Sequence, residues 1–145
     1  MDFQRMALAA VAAWVVFLGV TTLVSPVLMG DLYARHASLL RATSEQTTTV
    51  GFGAALFGFF AFAYAYAKGY EGGAGPAEGL RFGVLVGLLL AAFAMAWAYV
   101  LLPISGWFAL ALVVDTIVEM ALYGVVVGLI YRPLPLRSTD RRSPS

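Results

Sequence analysis

Long apolar stretches alternate along the chain with short segments that hold almost all of the charged residues. The first charge-free stretch, residues 6–30, lies between Arg5 and Asp31, and a second stretch, residues 48–67, ends at Lys68. Each has about the 20 apolar residues that a helix needs to cross the hydrocarbon core of a bilayer, which is about 30 Å thick. The pattern therefore predicts two membrane-spanning helices in the first half of the chain.

A third stretch, residues 82–114, has no charged residue and is too long for one ordinary span. Pro103 divides it, because proline lacks a backbone N–H and its ring clashes with the preceding helical turn. We predict a third span at residues 82–102 and a fourth at 107–131, joined by a turn short enough to make them antiparallel neighbours. The glycine-rich segment after Lys68 forbids a continuous helix. The predicted fold is an all-α bundle of four transmembrane helices.

The segment between the first two spans carries Leu32, Tyr33 and His36 at helical spacing, which predicts a short helix in the membrane interface. Thr43 and Gln46 have the spacing of a capping box at the start of the second span. After the fourth span, the tail is rich in Pro, Ser and Arg and cannot bury enough apolar surface to fold. We therefore divide the chain into a membrane domain, residues 1–132, and a disordered tail, residues 133–145.

Four spans return the chain to the side of the membrane on which it starts. Most cations fall on the side of the termini and the loop between the second and third spans, and only Arg35 and Arg41 fall on the other side. The cations of the first group are Arg5, Lys68, Arg81, Arg132, Arg137, Arg141 and Arg142. The positive-inside rule predicts that both termini are cytoplasmic.

The composition agrees with a membrane protein and removes several other classes. Hydrophobic residues make up 61% and charged residues 12% of the 145 residues, whereas soluble domains have roughly 45–50% and about 25%. The absence of cysteine excludes disulfides and dithiol chemistry. We find no catalytic triad, no metalloprotease motif and no phosphate loop, and no basic face for nucleic acid. We expect a protein that is not an enzyme and that needs no cofactor or metal.

Small residues recur at every fourth position of the third span. The positions are Gly79, Gly83, Gly87 and Ala91, and Gly124 and Gly128 add a similar pair in the fourth span. In lipid, small residues let helices approach closely, and this packing replaces the hydrophobic effect as a source of association. The stripes predict either helix packing within the chain or a contact with a second copy or another membrane subunit.

Asp115 and Glu119 lie within the fourth span, one helical turn apart, and the same face continues to Tyr123. An ionised aspartate at the centre of a membrane helix costs about 2.5–3.5 kcal/mol, so such residues normally face the bundle interior and mark function. Three explanations are open: the carboxyl groups are protonated, they line a wet cavity or hold a cation, or a neighbouring subunit supplies a base. Thr21 and Thr22 of the first span lie at a similar depth and can donate hydrogen bonds to Asp115.

These observations lead to three hypotheses about function. The first is an accessory or scaffold subunit that contacts membrane lipids and other helices, as a homo-oligomer or in a larger membrane complex. The second is a small transporter or channel in which Asp115 and Glu119 exchange a proton or a cation. The third is binding of a lipid or quinone against the aromatic second span.

The segment AYAYAKGYEGGAGPAEGLRFGVLVGLL, residues 63–89, resembles a group of small bacterial four-helix membrane proteins to which no activity is assigned. Members tend to have an aromatic-rich second span, a cytoplasmic GYEGG-like loop, an EGLRFG-like entry into a glycine-rich third span, and an acid in the last span. The resemblance implies the same topology in the inner membrane of a bacterium. Small multidrug transporters share the size but carry their essential glutamate in the first span, where this chain has no acid.

Overall fold

The computed structural model describes residues 2–41 and 48–131, and helices make up most of these two ranges. Four of the helices are long and apolar enough to cross a membrane. They are α1 (Phe3–Arg35), α2 (Thr48–Gly69), α3 (Gly75–Leu101) and α4 (Gly106–Ile130). The prediction of an all-helical chain with four candidate spans is therefore confirmed. Thr43, Gln46 and the tail at residues 133–145 lie outside the described residues.

Helix α1 continues through Pro26 and is therefore longer than predicted. Its turn at Val20–Val24 is a π-helix, in which each N–H bonds to a carbonyl five residues back. This wider turn accommodates Pro26, whose ring would clash with the carbonyl four residues back in a regular α-helix. Within residues 2–41 the structure shows no separate interfacial helix: Ser25–Arg35 is the last part of α1, and only a short 3₁₀ turn at Ala37–Leu39 follows.

The loop between α2 and α3 is held by the side chain of Glu78. Its carboxylate accepts hydrogen bonds from the backbone N–H of Glu71 at 2.6 Å and of Gly73 at 2.9 Å. Pro76 lies in the first turn of α3, where its missing N–H would have no helical partner in any case. These two features let α3 begin at Gly75, earlier than the hydropathy pattern predicts.

Helices α3 and α4 pack backbone to backbone through glycines. The glycines in this contact are Gly79, Gly83 and Gly87 of α3 and Gly124 and Gly128 of α4. A Cβ atom on Gly83 would overlap the carbonyl oxygen of Met120, and one on Gly87 would lie 2.8 Å from the Cα atom of Ile117. Ala91, which is also buried, follows Gly87 on the same stripe. The small-residue stripes of the two helices therefore cover each other within one chain.

Helix α1 packs against α2 and α4, and α3 packs against α4. Two apolar clusters form the core. The larger consists of Ala9, Ala10, Ala13, Phe59, Ala63, Tyr66, Tyr123, Val127 and Tyr131, and the smaller of Met29, Ile104 and Phe108. Because α1 and α4 are antiparallel, the larger cluster joins the start of α1 to the end of α4, and the smaller cluster joins their other ends.

Candidate functional site

An acidic cavity of about 480 Å³ lies between the second half of α1 and the first half of α4. Asp115 and Glu119 line it from α4. The lining residues on α1 are Thr21, Ser25, Pro26, Gly30 and Tyr33. Along α4, the two acids lie between Phe108 of the smaller core cluster and Tyr123 of the larger one. The cavity therefore occupies the part of the α1–α4 contact that apolar side chains leave open.

Local helix geometry explains how these side chains come together. On α4, Asp115, Glu119 and Tyr123 follow one another at intervals of four residues and share a face. On α1, the π turn contains Thr21 and ends two residues before Pro26. Proline has no N–H, so a carbonyl oxygen of the preceding turn has no helical donor. The irregular part of α1 thus lines the cavity with the hydroxyl-bearing residues Thr21 and Ser25.

The carboxyl group of Glu119 has protein hydrogen-bonding partners. The hydroxyl of Tyr123 donates to its Oε2 atom at 3.0 Å, and the hydroxyl of Ser25 lies beside it. The ring of Tyr123 is fully buried and meets Phe17 and Phe59 edge to face, with centroids 6.2 Å and 5.1 Å away. Glu119 is consequently anchored to the main core of the bundle.

Asp115 lies in the same cavity in a different environment. Within the described part of the chain it makes neither a hydrogen bond nor an ion pair, although its side chain is partly buried. Glu119 likewise has no ion-pair partner among the described residues. No basic side chain of residues 2–41 or 48–131 forms an ion pair with either acid, which leaves a proton, a bound cation, water or a base of a neighbouring subunit to balance them.

The two threonines singled out from the sequence have different positions. Thr21 lines the cavity opposite the acids. Thr22 is exposed, and its hydroxyl donates to the carbonyl oxygen of Leu18 at 2.6 Å. Neither threonine donates a hydrogen bond to Asp115 within the described residues. Adjacent residues of a helix point about 100° apart, so only one of the two can face α4.

Aromatic residues border the cavity toward the turn between α3 and α4. Tyr33, which lines the cavity, meets Phe108 edge to face at 5.7 Å between centroids. The ring of His36 also stacks on the ring of Phe108, with centroids 4.3 Å apart and planes 16° from parallel. Its Nδ1 atom lies 2.8 Å from the carbonyl oxygen of Leu32. His36 is thus packed against α4 rather than freely solvated.

Sequence reasoning missed Ser25 and Tyr33 as site residues. The signal for Ser25 is its position four residues after Thr21, which puts two hydroxyls on one face of an otherwise apolar span. The sequence pattern predicts a separate helix for Tyr33 and therefore does not align it with this face of α1. The described residues contain no group of three or more His, Cys, Asp or Glu side chains that could hold a metal ion.

Comparisons of this chain with protein-family models, with curated proteins and with solved structures found no match. The function must therefore be argued from the site itself. Two carboxyl groups in a hydroxyl-lined cavity can take up a proton, or their oxygen atoms can coordinate a small cation.

Proposed function

We propose that the protein is a non-enzymatic, multi-pass membrane protein that binds and transfers a proton or a small cation at Asp115 and Glu119. The observation that carries this proposal is the acidic cavity between α1 and α4, in which no described basic side chain neutralises either acid. Intramembrane acids normally pair with bases, bind ions or relay protons. With no base available in the described residues, the other two roles are favoured.

The different surroundings of the two acids suit a transfer function. Glu119 is held by Tyr123, whereas Asp115 has no hydrogen-bonding partner within the described residues. A site that passes an ion onward must bind it weakly enough to release it. We assign the entry position to Asp115, which lies closer to the turn between α3 and α4, and the deeper position to Glu119.

The alternative role as a scaffold subunit has less support in the geometry. It was motivated by the glycine stripes, and these are covered by the contact between α3 and α4 within one chain. A surface that is already buried cannot recruit a second helix without displacing the first. Assembly into a homo-oligomer or a larger membrane complex remains a prediction from the small size of the chain, its lack of catalytic motifs and its small portion outside the spans.

For orientation, we propose that both termini face the cytoplasm of a bacterium and that the four spans cross its inner membrane. Arg5, Lys68 and Arg81 lie at the end of the helices that holds the loop between α2 and α3. Only Arg35 and Arg41 of the described cations lie at the opposite end. This asymmetry is the one that the positive-inside rule uses.

The function is tested with the full-length protein in liposomes. Ion movement is followed with an internal pH dye or cation indicator after a proton, sodium or potassium gradient is imposed. The double variant Asp115→Asn, Glu119→Gln removes both charges with little change in volume, and we expect it to lose most of the flux. Glu71→Gln, which removes an exposed loop acid, is the matched control and should behave as the wild type. Equal flux in the double variant and the control, or no wild-type flux under any of the gradients, would contradict the proposal.

A further inference from the structure

A second cavity, of about 420 Å³, forms a groove between α2 and α3 that is lined by apolar residues alone. Small residues of α2, Gly58 and Ala65, make it concave, and Val86 and Leu90 form its α3 wall. Phe17 of α1 and Met120 of α4 also line the cavity. The volume is within the range of about 300–1,000 Å³ that is typical of ligand sites. We call this cavity the α2–α3 groove.

The groove exists because α2 and α3 touch mainly near the loop that joins them. Phe82 meets Phe62 at 4.9 Å and Tyr66 at 5.5 Å between ring centroids. Farther from the loop, the small α2 residues leave a gap that no described side chain fills. In a membrane, an apolar gap of this kind is in contact with hydrocarbon, so the occupant with matching chemistry is an acyl chain.

Two cations lie at the loop end of the helices that form the groove. Lys68 follows the groove residue Ala65 by one turn of α2, and Arg81 directly precedes the groove residue Phe82 of α3. Both side chains are exposed, and neither makes an ion pair within the described residues. The nearby carboxylate of Glu78 accepts two loop N–H groups instead. Glu71 and Glu78 lie at the same end, so a phosphate at the membrane surface would be held by the two cations individually and not by a net positive charge.

From the groove and these two cations we infer that the protein has a binding site for one anionic phospholipid. One acyl chain of the lipid occupies the α2–α3 groove, and its phosphate pairs with Lys68 and Arg81. The site shares no lining residue with the acidic cavity. The inference therefore stands or falls independently of the proposed ion transfer.

Lipid retention is measured by native mass spectrometry on the full-length protein released from detergent. Phosphatidylglycerol and phosphatidylcholine with identical acyl chains are supplied in equal amounts. We expect the wild type to retain phosphatidylglycerol preferentially. Lys68→Gln and Arg81→Gln should each weaken this retention by about fivefold, since a cation near an anionic headgroup contributes about 1 kcal/mol.

A groove-filling variant tests the position of the acyl chain. A Cβ atom on Gly58 meets nothing within 4 Å, so Gly58→Leu can fold and fill the groove, and we expect it to abolish retention of phosphatidylglycerol. Gly53→Leu is the matched control, because Gly53 is also an exposed α2 glycine with open space around it but does not line the groove. It should bind lipid as the wild type does.

Three results would overturn the inference. Equal retention of the two lipids by the wild type would remove the headgroup selectivity. Loss of binding in the lysine and arginine variants but not in Gly58→Leu would indicate attraction to the surface alone. A lipid-free wild-type dimer that Gly58→Leu dissociates would show that a second copy of the chain, rather than a lipid, fills the groove.

Discussion

Asp115 and Glu119 have different environments, although the two residues are only one helical turn apart. Glu119 has an intrahelical donor in Tyr123, whose ring belongs to the main core cluster. Asp115 faces the hydroxyl-lined wall of α1 with no such donor among the described residues. A carboxyl group on the same helical face is therefore anchored by a hydrogen bond at one position and has no such anchor at the other.

Replacement of Tyr123 by Phe tests this anchoring at the level of one hydroxyl group. Tyr123→Phe keeps the buried ring and its contacts but removes the donor to Glu119. We expect the free energy of unfolding to fall by about 0.6–1.7 kcal/mol, the range found for side-chain hydrogen bonds in membrane bundles. The measurement is reversible unfolding in mixed detergent micelles. Tyr64→Phe, at an exposed α2 position, is the control. If both variants unfold alike, the hydrogen bond contributes nothing.

At the scale of the helices, the sequence was sufficient to predict their number and the position of α4 to within one residue at each end. It was not sufficient for α1 and α3, whose ends depend on specific interactions rather than on hydropathy. The π turn before Pro26 lets α1 continue past a proline, and the Glu78 side chain fixes the start of α3. Hydropathy averages over many residues and does not register such single contacts.

A glycine inside the α3–α4 contact and an α2 glycine outside it should respond in opposite ways to substitution by alanine. In Gly83→Ala, the new methyl group would meet the carbonyl of Met120 and lie 2.9 Å from the Cα atom of Ala121. We expect a loss of about 1–3 kcal/mol from overpacking. Gly51→Ala adds the same methyl group in open space, and the higher helix propensity of alanine should stabilise the protein by about 1 kcal/mol. Thermal unfolding in detergent compares the two. A neutral or stabilising Gly83→Ala would show that α3 and α4 are not in backbone contact.

At the scale of the whole molecule, the packing arrangement of the helices determines which residues come together in a site. The placement of α1 against α4 brings Thr21 and Ser25 to the acids, and no hydropathy pattern specifies this pairing. The acids themselves were recognisable from the sequence, because a charged group in an apolar span is costly wherever the span packs. Phe17 and Phe59 line the α2–α3 groove, and Tyr123, which contacts both rings, bonds to Glu119 of the acidic cavity. These three aromatic residues therefore lie between a polar recess and an apolar one.

The orientation of the molecule would decide which side of the membrane supplies the ion in the proposed transfer, and it is open to a direct test because the chain has no cysteine. Single cysteines are placed at Ala74, in the loop between α2 and α3, and at Ser38, after α1, both exposed positions at opposite ends of the helices. With cytoplasmic termini, a membrane-impermeant maleimide added to intact bacterial cells should label Ser38→Cys at once and Ala74→Cys only after permeabilisation. The cysteine-free wild type gives the background.

Asp115 lies in the half of α4 nearer to Ser38, so this orientation makes it the acid closer to the outer face. The reverse labelling pattern would turn the proposed path of the ion around, and labelling of both sites in intact cells would contradict a single orientation.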